Sequence, residues 1–172
     1  EGTSWSDIND AGIMFLGLGQ GNNSSNYPRF IELYVTKDIP DLNKIWIYSY
    51  KNGSSSNNNY FRFPNKGESA SKGDIIIIYD NSSYFNTYFD LNYSSYDKHF
   101  YWNVFYDYND GNDAFEIRYG DNNTDKELVD VIGEVGVDGV GRPWEYSKGW
   151  IKRKDDTYAK TKFDISDWEV CK

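Results

Sequence analysis

The chain predicts an all-β sandwich of about eight or nine mostly antiparallel strands, and three observations carry that prediction. Short segments alternate strictly: Phe115, Ile117 and Tyr119 point one way, while Ala114, Glu116 and Arg118 point the other, as in a half-buried strand. Turn formers recur at short intervals, with Asn, Asp, Ser and Gly clustered between the apolar runs. Aromatics make up 19% of the residues against 38% for all apolar types, so Tyr, Phe and Trp can build a core without many aliphatics. Aromatic rings bury large areas each and favour strands, which makes this composition workable. At 172 residues the chain is read as one domain, 1–172, long enough for a two-layer core, with extended tails expected at 1–8 and 163–172.

The strands follow in order. Residues 12–18 are a short apolar run and the first strand. Ile31, Leu33 and Val35 alternate with Glu32 and Tyr34 in the second. After a turn at Asp38-Ile39-Pro40-Asp41, residues 45–48 form the third. An Asn/Ser/Gly loop over 51–59 leads to Phe61 and Phe63, which flank Arg62 in a brief strand that Pro64 ends. Four successive isoleucines, Ile75 to Ile78, suit a strand buried on both faces, being too short and too β-branched for a helix. The polar stretch 81–98 has no clear assignment, and the aromatic stretch 100–106 reads as another strand.

Asn109-Asp110-Gly111-Asn112-Asp113 is a turn, since Asn, Asp and Gly accept positive φ. It opens the strand at 114–119, which a second turn at 120–123 joins to Leu128-Val129-Asp130-Val131-Ile132 as an antiparallel hairpin. A glycine-rich loop over 133–144 follows, and a last strand lies near 149–153.

The ordered set Asn112-Asp113-Ala114, Leu128 to Gly133, Trp144 and Arg153-Lys154 resembles the lamin-tail domain family, an immunoglobulin-like β-sandwich. Phe30 to Tyr34 resembles an early strand of that family, and the ending at 163–170 resembles its secreted, non-nuclear branch. The resemblance covers most of the chain and is weak over 51–109. It implies an immunoglobulin-like topology and an extracellular location. In that family such domains also accompany secreted nucleases and other hydrolases. The sequence shows no coiled-coil heptads, so a nuclear filament role is not expected.

The formal charge of −9 argues against binding along a phosphate backbone, so no nucleic-acid partner is expected. The locally basic run 148–162 reads as a solvated strand edge whose lysines discourage unwanted pairing. No apolar run approaches the ~20 residues needed to cross a membrane, so no span is expected. Residue 1 is Glu and no signal peptide is visible, so the chain is expected to be processed or cut from a longer one. The single cysteine, Cys171, admits no intrachain disulfide and is a candidate for an intermolecular one, or an unpaired thiol near a boundary.

No catalytic constellation assembles. His99 is the one histidine and sits in Lys98-His99-Phe100-Tyr101-Trp102, a setting more typical of a structural residue, and there is no Gly-x-Ser-x-Gly elbow. The 27 acidic residues offer carboxylate pairs that sequence alone does not rank. Gly133, Gly136, Gly139 and Gly141 lack the Lys-Ser/Thr of a phosphate loop, and Glu134 and Asp138 would repel phosphate, so they read as a loop needing positive φ and close backbone approach. Asp107, Asp110 and Asp113, with Asn109 and Asn112, are weak calcium candidates: the oxygens suit the ion, but the EF-hand register fails, and no tight site is expected. No Cys/His spacing supports zinc, and no motif asks for a cofactor.

Asn22, Asn23, Asn52, Asn81, Asn92 and Asn122 each begin Asn-x-Ser/Thr, all in expected loops, which makes them N-glycan acceptor candidates and favours secretion. The expectation is therefore a non-enzymatic extracellular structural or interaction module, self-associating through strand edges or termini, with a filament or matrix protomer as one form. The alternatives are an accessory domain of a larger secreted nuclease or hydrolase, and a glycan-binding module using exposed Tyr and Trp.

Overall fold

The computed structural model describes residues 11–20, 28–80, 85–86, 92–103, 109–122 and 124–172. They form ten strands: β1 (Ile13–Gln20), β2 (Arg29–Val35), β3 (Ile45–Tyr50), β4 (Asn59–Arg62), β5 (Ile75–Tyr79), β6 (Lys98–Tyr101), β7 (Ala114–Tyr119), β8 (Glu127–Ile132), β9 (Trp150–Arg153) and β10 (Trp168–Cys171). Two sheets pack together. The larger runs β10-β9-β1-β2-β5-β6 and the smaller β4-β3-β7-β8. The strand count exceeds the eight or nine expected because part of the segment read as a C-terminal tail, 163–172, pairs along β9 as β10. The expected tail at 1–8 lies outside the described residues.

Alternation sorts the side chains as the sequence indicates. Ile45 and Ile47 of β3 and Phe115 and Ile117 of β7 face Ile31, Leu33 and Val35 of β2 in one buried cluster. In β1 the inward set changes phase from Ile13 and Phe15 to Leu18, because the register shifts between Phe15 and Gly17. Such a bulge adds a residue to one strand and turns the next side chains over. Three of the four isoleucines of β5 are buried, on both faces: Ile76 and Ile78 join the central core, while Ile77 packs with Tyr79 and Phe85 on the outside; Ile75 is half-buried. β7 and β8 form the expected antiparallel hairpin. One pairing is parallel, β6 with β5.

The basic run 148–162 is not simply a solvated edge. β9 lies inside the large sheet between β1 and β10, and Arg153 is buried. Its guanidinium donates to Asp130 Oδ2 at 2.6 Å, to the Phe15 carbonyl at 2.7 Å and to the Tyr158 carbonyl at 2.7 Å, and it lies 4.3 Å over the Trp168 ring. Asp130 also accepts from the N–H groups of Phe15, Val131 and Lys160. This buried pair joins β8 of the small sheet to β1, β9 and β10 of the large one.

The glycine-rich loop wraps Trp144. A Cβ on Gly139 would stand 2.5 Å from both the Trp144 ring and the Asn112 carbonyl, so the backbone approaches as closely as only glycine permits.

Candidate functional site

At one side of the sandwich, β4 of the small sheet and β6 of the large sheet are both edge strands among the described residues. Between them runs a groove of about 530 Å³ lined by Asn59, Tyr60, Phe61, Arg62, Phe100 and Tyr101, with Pro64, Trp102 and Asn103 at its end. Alternation explains its form. Phe61 and Phe63 turn into the core, where Phe61 lies 5.7 Å from Trp102 and 6.2 Å from Phe100, and Phe63 lies 4.8 Å from Phe100. That leaves Tyr60 and Arg62 on the outer face. Tyr60 is 44% exposed and Tyr101 58%, among the largest apolar exposures described. The floor is therefore rigid aromatic core and the rim is two accessible tyrosines, with Asn59, Asn103 and Arg62 supplying polar groups. Concave, mostly apolar sites with a few polar groups are the usual form of a binding surface.

Tyr60 also belongs to the outer face of the small sheet. Its ring packs 5.2 Å from Trp46 and 6.2 Å from Tyr48, so the groove continues into an aromatic patch. Trp46, Tyr48 and Tyr50 alternate on the outer side of β3 yet are 4%, 9% and 5% exposed: Arg62 and Lys126 lie over Trp46, Arg118 and Lys126 over Tyr48, and Tyr50 packs in a cluster with Ala114 and Val135. Arg118 donates to Glu116 at 2.7 Å, and the Tyr50 hydroxyl donates to the same carboxylate at 2.6 Å. Burial, reinforced by Glu116, raises Tyr50 well above the ordinary phenol range. Long cationic side chains lying over aromatic faces in this way cover apolar surface.

Of the calcium candidates, Asp110 and Asp113 come together and Asp107 lies outside the described residues. Asp113 is fully buried. It accepts from the N–H groups of Asn52 at 2.8 Å and Asp110 at 3.2 Å, tying loop 51–53 to the turn. Burial pushes its carboxyl up to about 7, with the neighbouring Asp110 charge adding to the rise and the Asn52 N–H opposing it. The turn's carbonyls are already engaged: Asn109 by Arg29, Asp110 by Ser147, Gly111 by Tyr146 and Asn112 by Gly139. Two buried acceptors, Asp110 Oδ1 and Asn112 Oδ1, have no donor among the described residues.

Among the acceptor candidates, Asn22, Asn23 and Asn81 lie outside the described residues. Asn52, Asn92 and Asn122 are exposed. Asn92 and Asn122 share one turn geometry, the side-chain oxygen accepting from the Ser94 hydroxyl at 2.7 Å and the Thr124 hydroxyl at 2.8 Å. Asn52 instead sits at φ 51°, its N–H held by Asp113. Cys171 is exposed on edge strand β10, and exposed His99 packs against Tyr79 and Tyr93 on the outer side of the large sheet.

Sequence reasoning missed the groove. Its two rims come from segments that neither share a periodic pattern nor neighbour one another in the chain. Compared with known proteins, the chain matches no family model, no curated protein and no solved structure.

Proposed function

We propose that this domain is a non-enzymatic, extracellular interaction module, and that the groove between β4 and β6 is where it engages protein, further copies of itself included. One observation carries the reading. Two strands that are sheet edges among the described residues, one from each sheet, flank a groove floored by Phe61, Phe100 and Trp102 and rimmed by exposed Tyr60 and Tyr101. An open edge offers unpaired main-chain groups to an incoming strand, and tyrosine and tryptophan are favoured interface anchors. Sedimentation velocity across a concentration series tests it. The full chain should associate with rising concentration, and Tyr101→Lys should abolish this while leaving the fold intact. A chain that stays monomeric throughout would sink self-association.

The same exposed rings, with Asn59, Asn103 and Arg62 beside them, favour glycan binding as the second reading. A glycan array probed with the chain and with Tyr60→Ala separates the two. The finer identity of the sandwich is part of the same proposal: immunoglobulin-like topology and kinship with the lamin-tail family. The supporting observation is that Asp113, Asp130, Trp144 and Arg153, which carry the resemblance, are buried in the joints of the fold. Secretion and N-glycans at Asn92 and Asn122 belong to it too, as does the alternative of an accessory domain beside a secreted nuclease or hydrolase. Intact mass of native material before and after glycosidase checks the glycans, and the length of the parent gene checks the accessory role.

A further inference from the structure

On the outer face of the small sheet, three rings surround one ammonium. The Lys126 Nζ lies 3.7 Å from the ring centroid of Trp46, 4.5 Å from that of Tyr48 and 5.9 Å from that of Tyr60. Trp46 and Tyr48 stand two residues apart on β3 and so share a face, and Tyr60 is the register partner of Tyr48 on β4. The walls are fixed. The Trp46 indole N–H donates to the Gly120 carbonyl at 3.0 Å, and that ring is 4% exposed. Tyr60, 44% exposed, is the wall open to solvent. Lys126 enters from the surface connection between β7 and β8, so its flexible stem reaches the cage from outside.

We propose that Trp46, Tyr48 and Tyr60 form a recognition cage for an alkylammonium group, a methylated or quaternary amine on a ligand or partner, and that Lys126 occupies it as a built-in competitor. The chemical class follows from the present occupant, a primary alkylammonium held against the negative faces of three rings. Lys126 is a poorly suited tenant. Partial burial takes water from a strongly hydrated ammonium and lowers its pKa; Arg118 and Arg62, of like charge, lower it too, but they oppose any cationic occupant alike, so the loss of hydration is what tells against Lys126. A quaternary ammonium spreads its charge over methyl groups and is weakly hydrated, so it gives up less on entering the same space. Displacing Lys126 returns its charge to water. An internal ligand that must first leave lowers apparent affinity by the fraction of time the cage is filled.

Titration with tetramethylammonium chloride tests this, read by the Trp46 indole N–H signal in proton–nitrogen NMR of the full chain, with sodium chloride at equal ionic strength as reference. Lys126→Ala should bind about tenfold more tightly than the unmodified chain, since the competitor is gone. Lys126→Gln, which keeps cover without charge, should behave alike. Adding Tyr60→Ala to Lys126→Ala should remove the binding, and the neutral isostere neopentyl alcohol should shift nothing. The proposal fails if Lys126→Ala shows no binding, if its affinity equals that of the unmodified chain, or if the neutral isostere binds as well. It shares only the Tyr60 ring with the groove: Tyr101→Ala removes the other groove rim and should leave tetramethylammonium binding unchanged.

Discussion

Replacing Arg153 by methionine keeps most of the aliphatic stem and removes the guanidinium. The structure sets the size of the effect. The side chains of Arg153 and Asp130 are 2% and 1% exposed, so the carboxylate left behind has no water to turn to. The Phe15 and Tyr158 carbonyls lose their donor as well. Breaking one side of a buried pair costs about 3–5 kcal/mol, and for a domain of this length that lowers Tm by roughly 10–15 °C. Urea unfolding at pH 7, followed by circular dichroism, gives the number directly. Burial already holds Asp130 above the ordinary carboxylate range, against the pull of Arg153. Without the guanidinium that pKa rises further. A raised folded-state pKa contributes stability below the unfolded pKa and loses it as pH rises through the folded value, so Arg153→Met should recover part of its loss on acidification. Combining it with Asp130→Asn should cost at least about 2 kcal/mol less than the two single losses together, because each single change strands a charge that the other removes. Additivity within about 0.5 kcal/mol, or a single loss below about 1 kcal/mol, would refute the assignment of this pair as the joint between the sheets.

Further outcomes follow from the same packing. Asp113, raised to about 7 from 3.8, makes folding take up a proton between those values; stability should fall by up to about 4 kcal/mol as pH rises from 4 to 7, and Asp113→Asn should flatten that slope in pH-dependent urea melts. Gly139→Ala drives a methyl to 2.5 Å from Trp144 and the Asn112 carbonyl and should cost about 1–3 kcal/mol, measurable in the same assay. Ile76→Asp places an unpaired charge at a fully buried site and should abolish folding; a soluble variant with a cooperative melt would contradict the packing of β5. A chelator should leave Tm unchanged: both Asp113 oxygens and the turn carbonyls are already engaged, and among the described residues no group of three or more Asp, Glu, His or Cys is placed to hold a metal ion; a large drop would overturn this.

Local pattern was legible where one face is core and the other is not. Phe115, Ile117 and Tyr119 against Glu116 and Arg118 announced β7, and the isoleucines of β5 announced burial on both sides. What period two does not encode is which strands become neighbours. β6 is short, its residues Lys98 to Tyr101 alternate only between partly buried and exposed, and its parallel pairing to β5 follows from the return of the chain. Asp130 was hidden for another reason: an acid between Val129 and Val131 reads as an outward residue of an alternating strand, and only the arrival of Arg153 from the other sheet makes its burial tolerable. Arg153 sat in a run of lysines and shared their solvated reading. The rings of the candidate site were visible as residues. Their convergence depends on the β3–β4 register that places Tyr60 beside Tyr48, and on the return of β6 to the same side of the sandwich.

The placement of these groups separates what holds the fold from what it offers. Asp113, Asp130, Trp144 and Arg153 are spent on joints: each is 4% exposed or less, and each ties a loop or strand to another part of the chain. None presents a surface to a partner. The accessible aromatics Tyr60 and Tyr101, and the cations Arg62 and Lys126, sit on edge strands or on the hairpin connection, where substitution changes the surface without opening the core. Binding groups grafted on rigid edges can vary while the joints stay constant. If the domain serves by binding, Asn59, Tyr60, Arg62, Tyr101 and Asn103, together with Lys126, are where its specificity resides.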